Sequence, residues 1–123
     1  MAPMTFLAFT SPAPGREEEF HTWYRDQHLH EVLSVPGILS ARRWEYRTSL
    51  DGTGPEPEHT HLVIYEVDTD DVEATKAALV AAQSGWQSGT ERGRGPGVQA
   101  WFFAPLGDLV VSPNALADAR AGS

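Results

Sequence analysis

Six apolar runs follow one another along the 123 residues, and their order leaves few folds open. The first, residues 4–10 (MTFLAFT), is short and aromatic and is broken by Ser11-Pro-Ala-Pro-Gly15, which predicts a strand. Residues 16–34 predict a helix. Glu17, Glu18 and Glu19 occupy its first turn, where the helix dipole favours anions, and Phe20, Tyr24, His28 and Val32 recur at four-residue intervals on one face. Pro36-Gly37 ends it. Residues 38–47 and 60–67 predict a second and third strand, joined as a hairpin by the Gly/Pro-rich connector 49–58. Residues 70–83 are Ala-rich with Asp70, Asp71 and Glu73 at the start. They predict a second helix that turns Val72 and Leu79 inward. Residues 84–97 hold five glycines and predict a loop; residues 98–106 predict a fourth strand.

Strand, helix, strand, strand, helix, strand is the split βαβ pattern. The fold class expected is therefore α+β: a ferredoxin-like βαββαβ unit with a four-stranded antiparallel sheet and both helices on one face. A chain of 13.5 kDa has no third layer for the other face. Aromatic residues nevertheless fall on both parities of several strands, as expected of a sheet covered on both sides. A homodimer with its sheets face to face is the simplest cover. Residues 1–106 are expected to form this single domain and residues 107–123 a tail.

Composition removes several function classes. Nine basic against seventeen acidic residues give a net charge of −8, and Lys76 is the one lysine. A chain so acidic lacks the basic face that nucleic acid or an anionic membrane surface requires. With no cysteine there is no disulfide, thiol nucleophile or thiolate metal site. No apolar stretch approaches the ~18 residues of a membrane span, and the N-terminal run has neither the basic nor the long apolar region of a secretory leader. A cytoplasmic location is expected.

The segment Phe20-His-Thr-Trp-Tyr-Arg-Asp-Gln-His28, followed by Val35-Pro-Gly37 and Ala41-Arg-Arg-Trp44, resembles the dimeric α+β barrel superfamily, and most of all its EthD-like branch. The resemblance spans roughly residues 4–106. It implies a dimeric α+β barrel and a small hydrophobic cavity in each subunit, between helices and sheet. The superfamily includes cofactor-free monooxygenases, polyketide cyclases, lactone isomerases and haem-degrading enzymes.

On that expectation His28, on the inward stripe with Tyr24 and Val32, is the candidate acid/base, since a partly buried imidazole titrates near neutrality. Tyr24 and one of the two β-strand arginines, Arg43, are candidates to hold an enolate oxygen. Trp23, Trp44, His61, Tyr65, Trp86 and Trp101 are candidate substrate-binding residues, with Trp44, Tyr65 and Trp101 as stacking walls. Arg92 and Arg94 in the Gly-rich loop read chiefly as part of a connector, and alternatively as a lid that meets an anion.

A metal is not expected. His28-Leu-His30-Glu31 starts like a zincin motif, but Ser34 stands where its second histidine belongs. His28 with Glu31, or His59 with His61, could share a face, yet a third ligand is lacking. The function expected is a small cofactor-independent enzyme that removes a proton next to a carbonyl of an aromatic or conjugated metabolite, leading to cyclisation, isomerisation or oxygenation. The alternatives are a non-catalytic carrier of a hydrophobic small molecule and a haem-binding protein of the same fold.

Overall fold

The computed structural model describes residues 2–115. The strands are β1 (Pro3–Thr10), β2 (Ile38–Glu45), β3 (His61–Asp68) and β4 (Gln99–Phe103). The helices are α1 (Glu17–Trp23), α2 (Leu29–Leu33) and α3 (Val72–Gln83). All four strands join one antiparallel sheet in the order β2-β3-β1-β4, so the ferredoxin-like expectation holds. Of the expected tail, residues 107–115 are exposed, and residues 116–123 lie outside the described residues.

Central strand β1 sets the register. Phe6 pairs with Tyr65 and Phe102, and Ala8 pairs with Val63 and Ala100. Because side chains alternate along a strand, these residues share the face that meets the helices. There Phe6 stacks on Tyr65 at 5.4 Å and on Phe102 at 4.5 Å. Phe20, Trp23, Tyr24, Val32, Val35 and Leu79 complete the core from the helical side. Helix α3 begins where Asp71 accepts a hydrogen bond from the Ala74 N–H at 3.1 Å, and it buries Thr75 and Leu79. Val72 is only half-buried; Thr75 takes the inward place because its hydroxyl finds a partner in Thr69 Oγ1 at 2.8 Å.

The expected single helix over 16–34 is interrupted. Residues Tyr24–His28 form a π turn between α1 and α2. A π turn bonds i to i+5, which brings residues five apart onto one side. Trp23 and His28, about 140° apart on a regular α-helix, accordingly stack at 4.3 Å with their planes 15° apart.

The face of the sheet turned away from the helices is apolar over much of its area, with Arg42, Glu66 and Gln99 among its polar residues. It carries Leu7, Phe9, Leu62, Ile64, Trp44, Trp101 and Phe103, the last three about half-exposed. Among the described residues no helix is long and apolar enough to cross a membrane.

Candidate active site

A cavity of about 420 Å³ lies between the helical arm, α3 and the helix-facing side of the sheet. Phe6, Ala8, Thr10 and Tyr65 form its floor, Trp23, Tyr24, His28, Val32 and Leu79 its helical walls, and Trp86, Ser88, Gly89 and Arg94 its loop side. Its size and mixed aromatic lining are those of a small-molecule site.

His28 is boxed in by aromatic rings. Trp23 stacks on it, and Tyr24 and Trp86 meet it edge-on at 5.2 and 5.6 Å. Its Nδ1 stands 3.3 Å from Glu31 Oε1. An ionised carboxylate only accepts, so Nδ1 carries the proton and Nε2 keeps its lone pair. Burial holds the imidazole below its ordinary value; Glu31 opposes this, and the charge of Arg94 adds to it. At neutral pH His28 is thus a neutral imidazole.

Tyr24 is buried, and its phenol oxygen lies 3.2 Å from Thr10 Oγ1. Burial raises its pKa, against the lowering effects of Thr10, Arg94 and Arg43, so the phenol keeps its proton. Tyr65 is raised likewise, chiefly by burial.

Arg43 is not among the residues lining this cavity. It stands behind Tyr24, with its guanidinium 4.8 Å from the centre of that ring and 5.5 Å from Phe20, and it donates to His21 Nδ1 at 2.9 Å. His61 belongs to the same cluster, 5.3 Å from His21 and from Phe20. Burial and the neighbouring His21 keep the His61 pKa low. Trp44 and Trp101 lie on the opposite face of the sheet from Tyr65, so these three do not form one set of walls. His28, Tyr24, Trp23, Tyr65 and Trp86 come together; Arg43, His61, Trp44 and Trp101 do not join them.

The cavity's arginine is Arg94, from the Gly-rich segment. That segment is pinned rather than loose. The Ala13 N–H donates to Gly93 O at 2.7 Å, Gly95 N–H to Ser11 O at 2.7 Å and Arg94 N–H to Gly89 O at 2.9 Å. Gly93 has φ +91°, and a Cβ there would come within 2.8 Å of Arg16 O and Phe20 N. A Cβ on Gly89 would meet Trp23 at 2.8 Å and Arg94 Nη1 at 3.0 Å. The glycines therefore mark close approach as much as flexibility. Thr10 and Ser88, which line the cavity, were not singled out in the sequence; Thr10 carried a weak signal as the last residue of a strand.

Among the described residues no group of three or more His, Asp or Glu could hold a metal ion. The His28–Glu31 spacing is used for a hydrogen bond, and His59 Nδ1 lies 3.2 Å from Ser11 Oγ.

Two depressed imidazoles have a consequence for stability. Below about pH 6.5 the unfolded chain binds protons that folded His28 and His61 refuse. Their contribution is full above that pH and is lost as the pH falls toward the folded values. The melting temperature is expected to drop over this window, and less so in a His28→Gln, His61→Gln double variant. Equal slopes for the two proteins would overturn the assignment.

No protein-family model and no curated protein matches the chain. Solved structures do. An EthD family protein from Bacillus halodurans superposes with a TM-score of 0.51 at 12% identity, covering 86% of this chain and 100% of that one. SnoaB, a cofactor-independent oxygenase from Streptomyces nogalater, gives 0.56 at 13%, covering 89% and 98%. A variant of MhuD, with two manganese protoporphyrin IX molecules bound per active site, gives 0.53 at 17%, covering 88% and 99%. The fold of this chain is the one these proteins share.

Proposed function

We propose that the protein is a small cofactor-independent enzyme that removes a proton next to a carbonyl of an aromatic or conjugated metabolite, leading to cyclisation, isomerisation or oxygenation. The observation that carries this reading is the Glu31–His28 pair set in the wall of an aromatic cavity. His28 Nε2 takes the proton from the carbon acid, and Glu31 fixes the tautomer and steadies the imidazolium that forms. With Thr10 donating to Tyr24, the phenol O–H is left to donate to the developing enolate oxygen. Arg43, over the Tyr24 ring, is a positioning residue. Trp23, Trp86 and Tyr65 supply the apolar walls. The functional unit is a homodimer closed over the apolar sheet face, and its location is the cytoplasm. The likeness to SnoaB agrees with chemistry of this kind and identifies no substrate.

Haem binding is the competing reading, through the likeness to the porphyrin-bound protein. The donors here do not suit it. Trp23 covers one face of His28, Tyr24 and Trp86 crowd its edges, and Arg94 is the one lining cation for two propionates.

The test is proton exchange. Aromatic β-keto esters incubated with the protein in deuterium oxide are expected to lose their α-proton signal faster than without it. The acid limb of this activity should lie below about pH 6.5, because His28 is depressed from that value. A carrier would bind without exchange. A Soret band in the purified protein would replace the proposal with the haem reading.

A further inference from the structure

Among the described residues, exposed Arg42 and Arg47 make no side-chain hydrogen bond, but the partly buried guanidiniums other than Arg94 all have partners, Arg43 donating to His21 among them. Arg16 pairs with Glu19 at 2.8 Å, Arg25 with Asp26 at 2.8 Å, and Arg92 donates to Gln87 at 3.1 Å. Arg94 differs. Its side chain makes no hydrogen bond or ion pair with any described residue, and its Nε is closed to solvent without an acceptor. Among the described residues it is the one charged side chain lining the cavity, and no carboxylate lines it. Its backbone is held by Gly89 and its neighbours are pinned to Ser11 and Ala13, so the guanidinium is presented from a fixed base. Its charge reaches both Tyr24 and His28.

We propose that Arg94 is an anion anchor and that the cavity takes a planar hydrophobic acid, a conjugated molecule bearing a carboxylate. This deepens the proposed function and rests on its reading of the cavity. A partly buried guanidinium without an acceptor is costly, and a carboxylate is the ligand group that matches its planar fork. Trp23 and Trp86 lie on the same cavity, so an aromatic acid gripped at Arg94 has rings to pack against. Gly89 matters here because any side chain would press on both Trp23 and Arg94.

The test compares 2-naphthoate with its methyl ester by calorimetry and by tryptophan fluorescence. The wild-type protein is expected to bind the acid at least about tenfold more tightly than the ester, a difference of about 1.4 kcal/mol. Arg94→Gln should abolish that preference, bringing the affinities of acid and ester together. Equal binding of acid and ester by the wild-type protein overturns the anion anchor while leaving the aromatic cavity standing. A preference that survives Arg94→Gln does the same. If neither probe binds, the cavity reading fails and this inference fails with it. The wild-type preference is read without any variant, so a folding defect in Arg94→Gln cannot mask the outcome.

Discussion

His28→Ala is expected to lower proton exchange, or turnover, by about a hundredfold or more, the scale of a lost general base. The imidazole stacks on Trp23 and meets Trp86 edge-on, so truncation also opens a gap against both. The fold should survive, since removal of one partly buried side chain costs about 1–3 kcal/mol. His28→Gln separates the two effects. It refills much of the space and retains hydrogen bonding but has no titratable nitrogen, so activity should stay lost while stability returns. Glu31→Gln gives a third readout. Glu31 raises the His28 pKa against burial, so its neutral replacement should move the acid limb of the pH profile to lower pH. Wild-type exchange rates in both His28 variants would make His28 a packing residue and end the assignment.

The second large effect concerns assembly. Trp44, Trp101 and Phe103 stand about half-exposed beside Leu7, Phe9, Leu62 and Ile64 on one sheet face. An exposed aromatic cluster of this size is the reason to expect a face-to-face dimer. Light scattering at micromolar concentration is expected to give twice 13.5 kDa. Buried aromatic anchors contribute about 2 kcal/mol or more each. Trp101→Asp with Phe103→Asp should therefore weaken the dimer about a thousandfold. Neither side chain lines the cavity, so the folded monomer should retain ligand binding if the cavity is complete within one chain. A monomeric wild-type protein would remove the dimer from the proposal.

The order of elements was legible because strand and helix periods differ and because Pro-Gly and Gly-rich breaks punctuate them. The hairpin of β2 and β3 and the inward turn of Phe20, Tyr24 and Val32 follow from those signals alone. Which face of the sheet each aromatic occupies does not. Parity groups Trp101 with Phe103 and His61 with Tyr65, but it leaves open which group meets the helices. Hence Trp44 and Trp101 were expected as walls and lie on the far side. The arginine that lines the cavity is Arg94 and not Arg43, for a related reason. Arg43 does face the helical layer, but Phe20 and Tyr24 stand between it and the cavity. Arg94 lies in a segment whose glycines look like slack, and only the close approach of Gly93 to α1 shows that they are contact points. The π turn left no trace in the four-residue spacing, because Tyr24 and His28 meet under either geometry whereas Trp23 and His28 meet only under one.

The interruption between α1 and α2 gives this arm one residue more than an unbroken helix would need. Deleting one residue from Tyr24–His28 would allow an unbroken α-helix, locally an improvement in backbone regularity. A π turn absorbs its extra residue, so the helix on either side of the deletion would keep its facing. Phe20 and Val32 are both buried, at opposite ends of the arm. On an unbroken α-helix they would stand about 120° apart with the present spacing and about 20° apart after the deletion. The π turn thus works as a phase shifter that fits a longer chain to one buried face, and the arm should accept the loss of one exposed residue there, Arg25 or Asp26.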